Sequence, residues 1–175
     1  MPFARISAPA SLLAASVALA LSAFQVAAEP LAAPTGPVIL TISGEIEHTN
    51  GDGVAAFDID MLRALGETDI VTETIWTPDQ HRFTGVRLKT LLERVGAEGG
   101  TIKATAINDY AVAIPNTDAT PEGPIVAYEM DGKLMSRRDK GPLWVIYPFS
   151  SSSDYRTEVI YSRSIWQLDR MIIEQ

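Results

Sequence analysis

The sequence predicts a single α+β domain that is rich in β-strands and contains a few short helices. One clean helical stripe of apolar residues occurs, whereas most other apolar runs are short and end at glycine, proline or asparagine. The 147 residues from Glu29 to Gln175 also have the usual size of one domain and suffice to bury one hydrophobic core.

The first 28 residues are typical of a secretory signal peptide. Arg5 gives a positive start, residues 12–24 form an apolar run of 13 residues, and we expect cleavage after the small residues that end at Ala28. A membrane-spanning helix needs about 20 apolar residues, so a retained anchor is the weaker alternative. We therefore expect a periplasmic or secreted protein that has no membrane contact after cleavage.

The mature chain is acidic and contains no cysteine. All 22 acidic residues follow the signal peptide, whereas one of the 14 basic residues lies within it, so the mature net charge is −9. This charge disfavours nucleic-acid binding, because the neutralisation of phosphates requires a basic face. Without cysteine there is neither a disulfide nor a thiolate metal ligand, so the fold depends on its hydrophobic core.

Two helices are expected in a domain that covers residues 38–175 and follows a flexible, Pro- and Ala-rich leader at 29–37. The first covers residues 61–65, after a carboxylate cap from Asp58 or Asp60, and ends at a glycine. The second covers residues 88–95, because leucine and valine recur there at helical spacing.

The remaining apolar segments predict β-strands. Pro78 is expected to close the second strand because proline lacks a backbone donor, and Asp131-Gly132 fits a tight hairpin turn. The last segment also fits a helical turn, so its assignment as a strand rests on the weakest pattern. The predicted strands cover residues 38–42, 70–76, 101–107, 110–114, 125–130, 133–135, 143–147 and 161–173.

Five groups of short phrases follow one another between Phe83 and Trp166. They are Phe83-Thr84-Gly85-Val86-Arg87-Leu88 with Leu91-Leu92 and Val95-Gly96-Ala97; Asn108-Asp109-Tyr110 with Ile114-Pro115; Ile125-Val126-Ala127-Tyr128 with Met130-Asp131-Gly132; Gly141-Pro142-Leu143 with Tyr147-Pro148; and Arg163-Ser164-Ile165-Trp166. In this order they resemble the sulfite-oxidase-type molybdopterin-binding oxidoreductase domain, in particular its small secreted bacterial relatives.

The resemblance implies a mixed fold of strands and short helices in which a pterin would lie in a groove lined by loops. It also implies a cysteine thiolate that binds molybdenum, in the strand near residues 72–76. That segment offers Thr72, Glu73 and Thr74 instead. Threonine is a poor ligand at neutral pH and a lone glutamate is too hard to replace soft sulfur, so the chain lacks the expected metal ligand.

We expect the ligand or cofactor site to be formed by His81, Arg82, Asn108, Tyr110, Arg137, Arg138 and Lys140. The resemblance places His81 and Arg82 in a loop at the groove, where the histidine would act as a pH-dependent donor. The basic cluster before Gly141 is the strongest local positive charge, and its guanidinium groups suit phosphate or carboxylate. The alternatives are a histidine that braces the loop and a solvated hairpin flank in which Asp139 pairs locally.

Other candidate groups favour structural roles. Asp58 and Asp60 fit a helix cap better than a metal pair. The serines at 150–153 lack a partnered histidine, so we expect a mobile loop at the mouth of the groove rather than a nucleophile. Trp76 and Trp166 are expected in the core or in the groove wall. We assign no catalytic and no metal-binding residue.

Three hypotheses for function remain open. The leading one is a cysteine-less binding or accessory module whose groove takes a small anionic ligand or a pterin; a periplasmic protein partner is compatible with it. It expects no cofactor, although the resemblance makes molybdopterin a candidate. The second is a molybdopterin-dependent oxidoreductase, or a subunit of one, that holds its cofactor without a protein thiolate. The third is a structural interaction domain with an empty groove.

Overall fold

The computed structural model describes residues 30–175, so the predicted signal peptide lies outside the described residues. The strands are β1 (Leu40–Gly44), β2 (Ala55–Phe57), β3 (Thr68–Thr74), β4 (Thr77–Arg87), β5 (Thr101–Ala106), β6 (Ala111–Pro115), β7 (Ile125–Met130), β8 (Lys133–Leu134), β9 (Leu143–Ile146) and β10 (Trp166–Glu174). The helices are α1 (Ile59–Ala64), α2 (Leu88–Val95) and α3 (Glu158–Arg163), and short 3-10 turns cover Asn116–Asp118 and Ser153–Tyr155. The predicted α+β class is confirmed. Among the described residues, no helix is long and apolar enough to cross a membrane.

The strands form one sheet that branches at β10. The main path runs β2-β1-β10-β9-β7-β4-β3, while β5 joins at β10 and carries β6, and β8 pairs with β7. β10 pairs with β9 through Trp166 and Leu168, and further along it pairs with β5 on one edge and with β1, in parallel, on the other. The register shifts between Trp166 and Leu168, so Gln167 lies in a bulge.

Two hydrophobic clusters hold this sheet together. The larger one contains the apolar stripe of α2, and the helix ends at Gly96, whose φ of 62° lies in the left-handed region that glycine favours. Both the extent and the end of α2 agree with the sequence prediction. The smaller cluster is built around Phe83 and Trp144, whose rings make an edge contact at 5.4 Å.

Asp58 caps α1 and was one of the two residues predicted for this cap. Its Oδ1 accepts a hydrogen bond from the Met61 backbone amide at 2.9 Å, and the pKa of Asp58 is lowered mainly by this bond and by that from Gly36. Oδ2 accepts from the amides of Thr35 and Gly36, each at 2.8 Å. The carboxylate is thereby fully engaged in backbone contacts, which explains its burial without a metal ion.

Residues 30–36, which belong to the predicted flexible leader, contact the domain. Leu31 is buried in the larger cluster, and the Asn50 side chain donates to the Ala32 carbonyl at 2.7 Å. The leader is therefore attached at Leu31 and Ala32 as well as at the Asp58 cap.

Two strand predictions were wrong in part. Pro78 does not end the β-structure, because Pro78 and Asp79 lie in a register shift between β3 and β4, and β4 continues beyond them. The polar residues at its start hid this strand from the apolar pattern. Residues 161–163 belong to α3, whose Thr157 cap accepts a hydrogen bond from the Ile160 amide, and β10 begins only at Trp166.

We expect Leu91→Ala to lower the free energy of unfolding by about 2–5 kcal/mol, because Leu91 is fully buried at the centre of the α2 stripe. Denaturant unfolding measures the change. Glu93→Ala, on the exposed side of the same helix, is the control and should shift the value by less than about 0.5 kcal/mol. Similar losses for both variants would contradict the packing described here.

Candidate functional site

An aromatic cleft of about 400 Å³ lies at one end of the sheet. It opens where the β3–β4 turn, the β5–β6 turn, α3 and the start of β10 meet. This volume lies within the ~300–1,000 Å³ typical of small-molecule sites. Its wall includes Trp76, Asn108, Tyr110, Tyr161, Trp166 and Gln167.

Trp76 lies at the centre of the aromatic wall. Its ring makes edge contacts with Trp166 at 5.6 Å, Tyr161 at 5.7 Å and Trp144 at 5.8 Å between centroids. Edge-to-face contacts of this kind stabilise aromatic clusters beyond the area that they bury. The segment in which the resemblance implies a metal-binding thiolate therefore ends in an indole that is fixed by other aromatic rings.

The hydroxyl groups of this segment are occupied by internal hydrogen bonds. Thr74 Oγ1 lies 2.8 Å from Thr77 Oγ1 and accepts from the Trp76 amide at 3.1 Å. Thr72 is fully buried, and its Oγ1 accepts from the Ser150 amide at 2.9 Å. The first serine of the predicted mobile loop is thus attached to β3.

Lys140 covers the aromatic wall from the side of the basic loop, which we define as residues 136–140. Its ammonium nitrogen lies 4.0 Å from the Trp166 ring centroid and 5.5 Å from that of Trp144. Both distances lie within the ~6 Å over which a cation is attracted to an aromatic face. One charge of the basic cluster is therefore placed directly against the cleft wall.

Arg137 and Arg138 are exposed, and their side chains form no ion pair or hydrogen bond within residues 30–175. Asp139 forms no salt bridge there either, so the predicted local pair is absent. Several other arginines form ion pairs, such as Arg63 with Glu129 at 2.7 Å. None of its basic residues lines the cleft, so the basic loop presents unpaired positive charge next to Lys140, which contacts Trp166 of the cleft wall.

Asn108 and Tyr110, both predicted site residues, line the cleft from the β5–β6 turn. The Asn108 Oδ1 accepts a hydrogen bond from the Tyr110 amide at 3.2 Å, which orients the side chain and leaves its amide nitrogen as a donor. Asp109 between them adopts a left-handed φ of 66° and forms a salt bridge with Arg170. The turn thus separates its acidic residue from the two residues that reach the cleft.

His81 and Arg82 do not line the cleft. His81 Nδ1 lies 2.6 Å from Asp131 Oδ2, and Nε2 lies 2.7 Å from the Pro78 carbonyl oxygen. Because both partners accept, the doubly protonated ring satisfies both contacts, and the hydrogen bond to Asp131 is the main cause that raises the pKa of His81. Arg82 pairs with Asp69 at 2.7 Å. Both residues brace the β3–β4 and β7–β8 hairpins, as the alternative interpretation of His81 proposed.

Tyr161, Ile165 and Gln167 were missed by the sequence analysis. They lie in the segment whose secondary structure was ambiguous, and a helix followed by a bulged strand brings them to one cavity. The adjacent Arg163-Ser164-Ile165-Trp166 phrase was the available signal. Arg163 itself is structural, because it contacts Asp118 at 2.9 Å, and Tyr147 donates to the same carboxylate oxygen at 2.7 Å.

We expect the His81–Asp131 contact to make stability depend on pH. Since the pKa of folded His81 is raised, its stabilisation is complete below the unfolded value of about 6.5 and is lost as the pH rises through the folded value. Asp131→Asn should reduce this loss above pH 6.5, because Asn tolerates the left-handed φ of 51° but lacks the charge. Denaturant unfolding from pH 6 to 9 tests this, and Asp52→Asn, which removes an exposed carboxylate that does not contribute to the pKa shift of His81, is the control. Identical pH profiles for wild type and Asp131→Asn would contradict the ion pair.

Both the fold and the sequence are similar to those of known proteins. The fold is similar to the crystal structure of the sulfane dehydrogenase SoxCD from Paracoccus pantotrophus, with a TM-score of 0.56 and 17% sequence identity over 77% of this chain. The similar region covers 37% of that chain, so our protein spans well under half of its length. No curated protein matches the sequence. Residues 63–153, more than half of the chain, match the family described as oxidoreductase molybdopterin binding domain, and the chain therefore belongs to this family.

Proposed function

We propose that the protein is a periplasmic or secreted binding module that holds a small, planar, anionic ligand in the aromatic cleft without a thiolate-bound metal. The observation that supports this proposal is that the aromatic wall and the basic loop meet where Lys140 contacts the Trp166 ring. The arginines of this loop form no ion pair among residues 30–175. An accessory role beside another periplasmic protein is compatible with it.

The shape of the cleft favours a flat ring as the ligand. The rings of Trp76, Tyr161 and Trp166 form its apolar wall, and indole faces bind planar compounds by stacking. Polar residues also line the cleft, among them Asn108, whose amide nitrogen is available to a ligand. A ring with polar edges fits this arrangement better than an aliphatic chain.

The charge of the basic loop favours an acidic substituent on that ring. Guanidinium groups bind carboxylate and phosphate through paired hydrogen bonds. Arg137 and Arg138 have no protein partner among residues 30–175, so binding an anion would not require breaking an existing ion pair. The chain carries a mature net charge of −9, which makes this local positive charge distinctive.

The residues at the cleft do not fit a thiolate-bound molybdenum centre. The chain has no cysteine, Trp76 supplies no ligand atom of that kind, and the neighbouring hydroxyls are hydrogen-bonded to each other and to backbone amides. Within residues 30–175, no group of three His, Asp or Glu side chains is placed to hold a metal ion.

Family membership favours a second candidate, an oxidoreductase or oxidoreductase subunit that binds molybdopterin without a protein thiolate. In that case the pterin would be held by the cleft and its acidic tail by the basic loop, and the metal would need ligands from outside this chain. A purely structural interaction domain is the third alternative and would leave the cleft without a ligand.

Binding of pterin-6-carboxylate tests the leading proposal. We expect it to quench tryptophan fluorescence, since Trp76 and Trp166 are two of the three tryptophans and both line the cleft. Loss of charge-assisted hydrogen bonds worth ~1.5–3 kcal/mol should weaken binding about tenfold or more in Arg137→Ala/Arg138→Ala. Lys103→Ala, which removes a charge outside the basic loop, is the control. No binding, or equal binding by the double variant, would contradict the proposal.

We expect the protein purified from its native host to contain far less than one molybdenum per chain. The reason is the donor set at the cleft, which lacks a soft ligand. Elemental analysis, combined with a search for pterin released on denaturation, measures both components. About one molybdenum and one pterin per chain would instead establish the second candidate.

A further inference from the structure

We infer that Gln167 is a positioning residue that sets the basic loop against the aromatic cleft, and that it thereby gives the cleft its preference for anionic ligands. The inference rests on the proposed function and assigns a part of it to one side chain. Three observations support it: the backbone conformation of Gln167, its hydrogen bonds, and the attachment of the basic loop.

The backbone of Gln167 has a conformation that is unusual for this residue type. Its φ is 52°, in the left-handed region where a side chain with a Cβ is strained. The residue lies in the bulge of β10, where its amide donates to the Lys140 carbonyl and its carbonyl accepts from the Ile107 amide, both at 2.9 Å. Gly or Asn would adopt this φ more readily, so the backbone alone does not explain glutamine here.

The hydrogen bonds of the Gln167 side chain explain better why glutamine occurs at this position. Its Nε2 donates to the Arg137 carbonyl at 2.8 Å and to the Asp139 carbonyl at 3.2 Å. Because carbonyl oxygens only accept, these contacts fix the amide orientation. They leave Oε1 as an acceptor without a protein partner among residues 30–175, in a residue that lines the cleft.

The basic loop depends on Gln167 for its attachment. The amides of Asp139 and Gly141 both donate to the Ser136 carbonyl, which closes the loop on itself. Within residues 30–175, every hydrogen bond that joins residues 136–140 to a distant segment ends at Gln167. One residue of the cleft wall therefore controls where the unpaired arginines lie.

Backbone strain that persists at a site often reflects function. Substitution of Gln167 distinguishes a role of its side chain in ligand preference from a purely structural role in the bulge. Gln167→Gly relieves the left-handed backbone and removes the side chain, so a purely structural role predicts unchanged ligand preference. We expect instead that the preference for pterin-6-carboxylate over neutral pterin falls from about tenfold or more to about twofold or less. The affinity for pterin-6-carboxylate should fall by a larger factor than that for neutral pterin, because the aromatic rings that hold both compounds are intact.

Amide hydrogen exchange provides the second readout. In Gln167→Gly we expect the amides of residue 167 and Gly141 to exchange at least about tenfold faster, while the amide of Val145 in the neighbouring strand β9 is unchanged. Gln167→Asn keeps an amide on a shorter side chain and tolerates the backbone conformation, so it replaces the glycine variant if that one does not fold. Asp79→Gly, at a φ of 61° away from the cleft, is the matched control and should alter neither readout.

The outcomes distinguish this inference from the proposed function. If wild type binds neither pterin, the proposed function is wrong and the role of Gln167 in selectivity is wrong with it. If wild type prefers the carboxylate and the Gln167 variants keep that preference, the proposed function stands and this inference is overturned. Equal loss of both pterins would also overturn it, because Gln167 would then shape the cleft rather than position the basic loop.

Discussion

The bulge in β10 is the constraint on which the site depends. This strand pairs with β9 at its start and with β5 and β1 further along, so its register must change within a few residues. Gln167 accommodates the change in a left-handed conformation that costs a residue with a Cβ about 1–2 kcal/mol. Its two backbone hydrogen bonds offset this cost and also attach the basic loop and the β5–β6 turn to the same point. The site is thus a consequence of how the sheet branches.

The aromatic cluster around Trp76 determines which chemical groups the fold presents at the cleft. Family membership describes the scaffold, whereas chemistry depends on the groups that the scaffold presents. Here an indole ring, packed edge-on against Trp166, Tyr161 and Trp144, ends the segment in which a soft metal ligand was expected. Recognition by stacking needs no metal and is sensitive to ring shape. This arrangement supports the proposal that the cleft holds a planar compound.

The sequence predicted the local features and missed those that depend on distant contacts. Helix α2 and the Asp58 cap were predictable because residues three to seven positions apart determine them. The cleft was only partly predictable: Asn108 and Tyr110 line it, whereas Arg137, Arg138 and Lys140 lie outside its lining and Gln167 was not anticipated. The bulge at Gln167 arises from pairing with strands from several parts of the chain, which no local pattern reveals. The bracing role of His81 was one of two stated alternatives, but its partner Asp131 could not be predicted, because it lies in the turn of another hairpin.

The charge distribution assigns different tasks to the two halves of the site. Residues 29–175 carry a formal net charge of −9, and in physiological salt both this charge and that of the basic loop act only over a screening length of about 8 Å. The loop therefore cannot attract a ligand from solution against the rest of the chain. Under the proposed function, it would discriminate among compounds that the aromatic wall already holds, because Lys140 lies against the Trp166 ring. Selectivity for an anion then depends on how closely the loop lies to the wall, and thus on the residue that joins them.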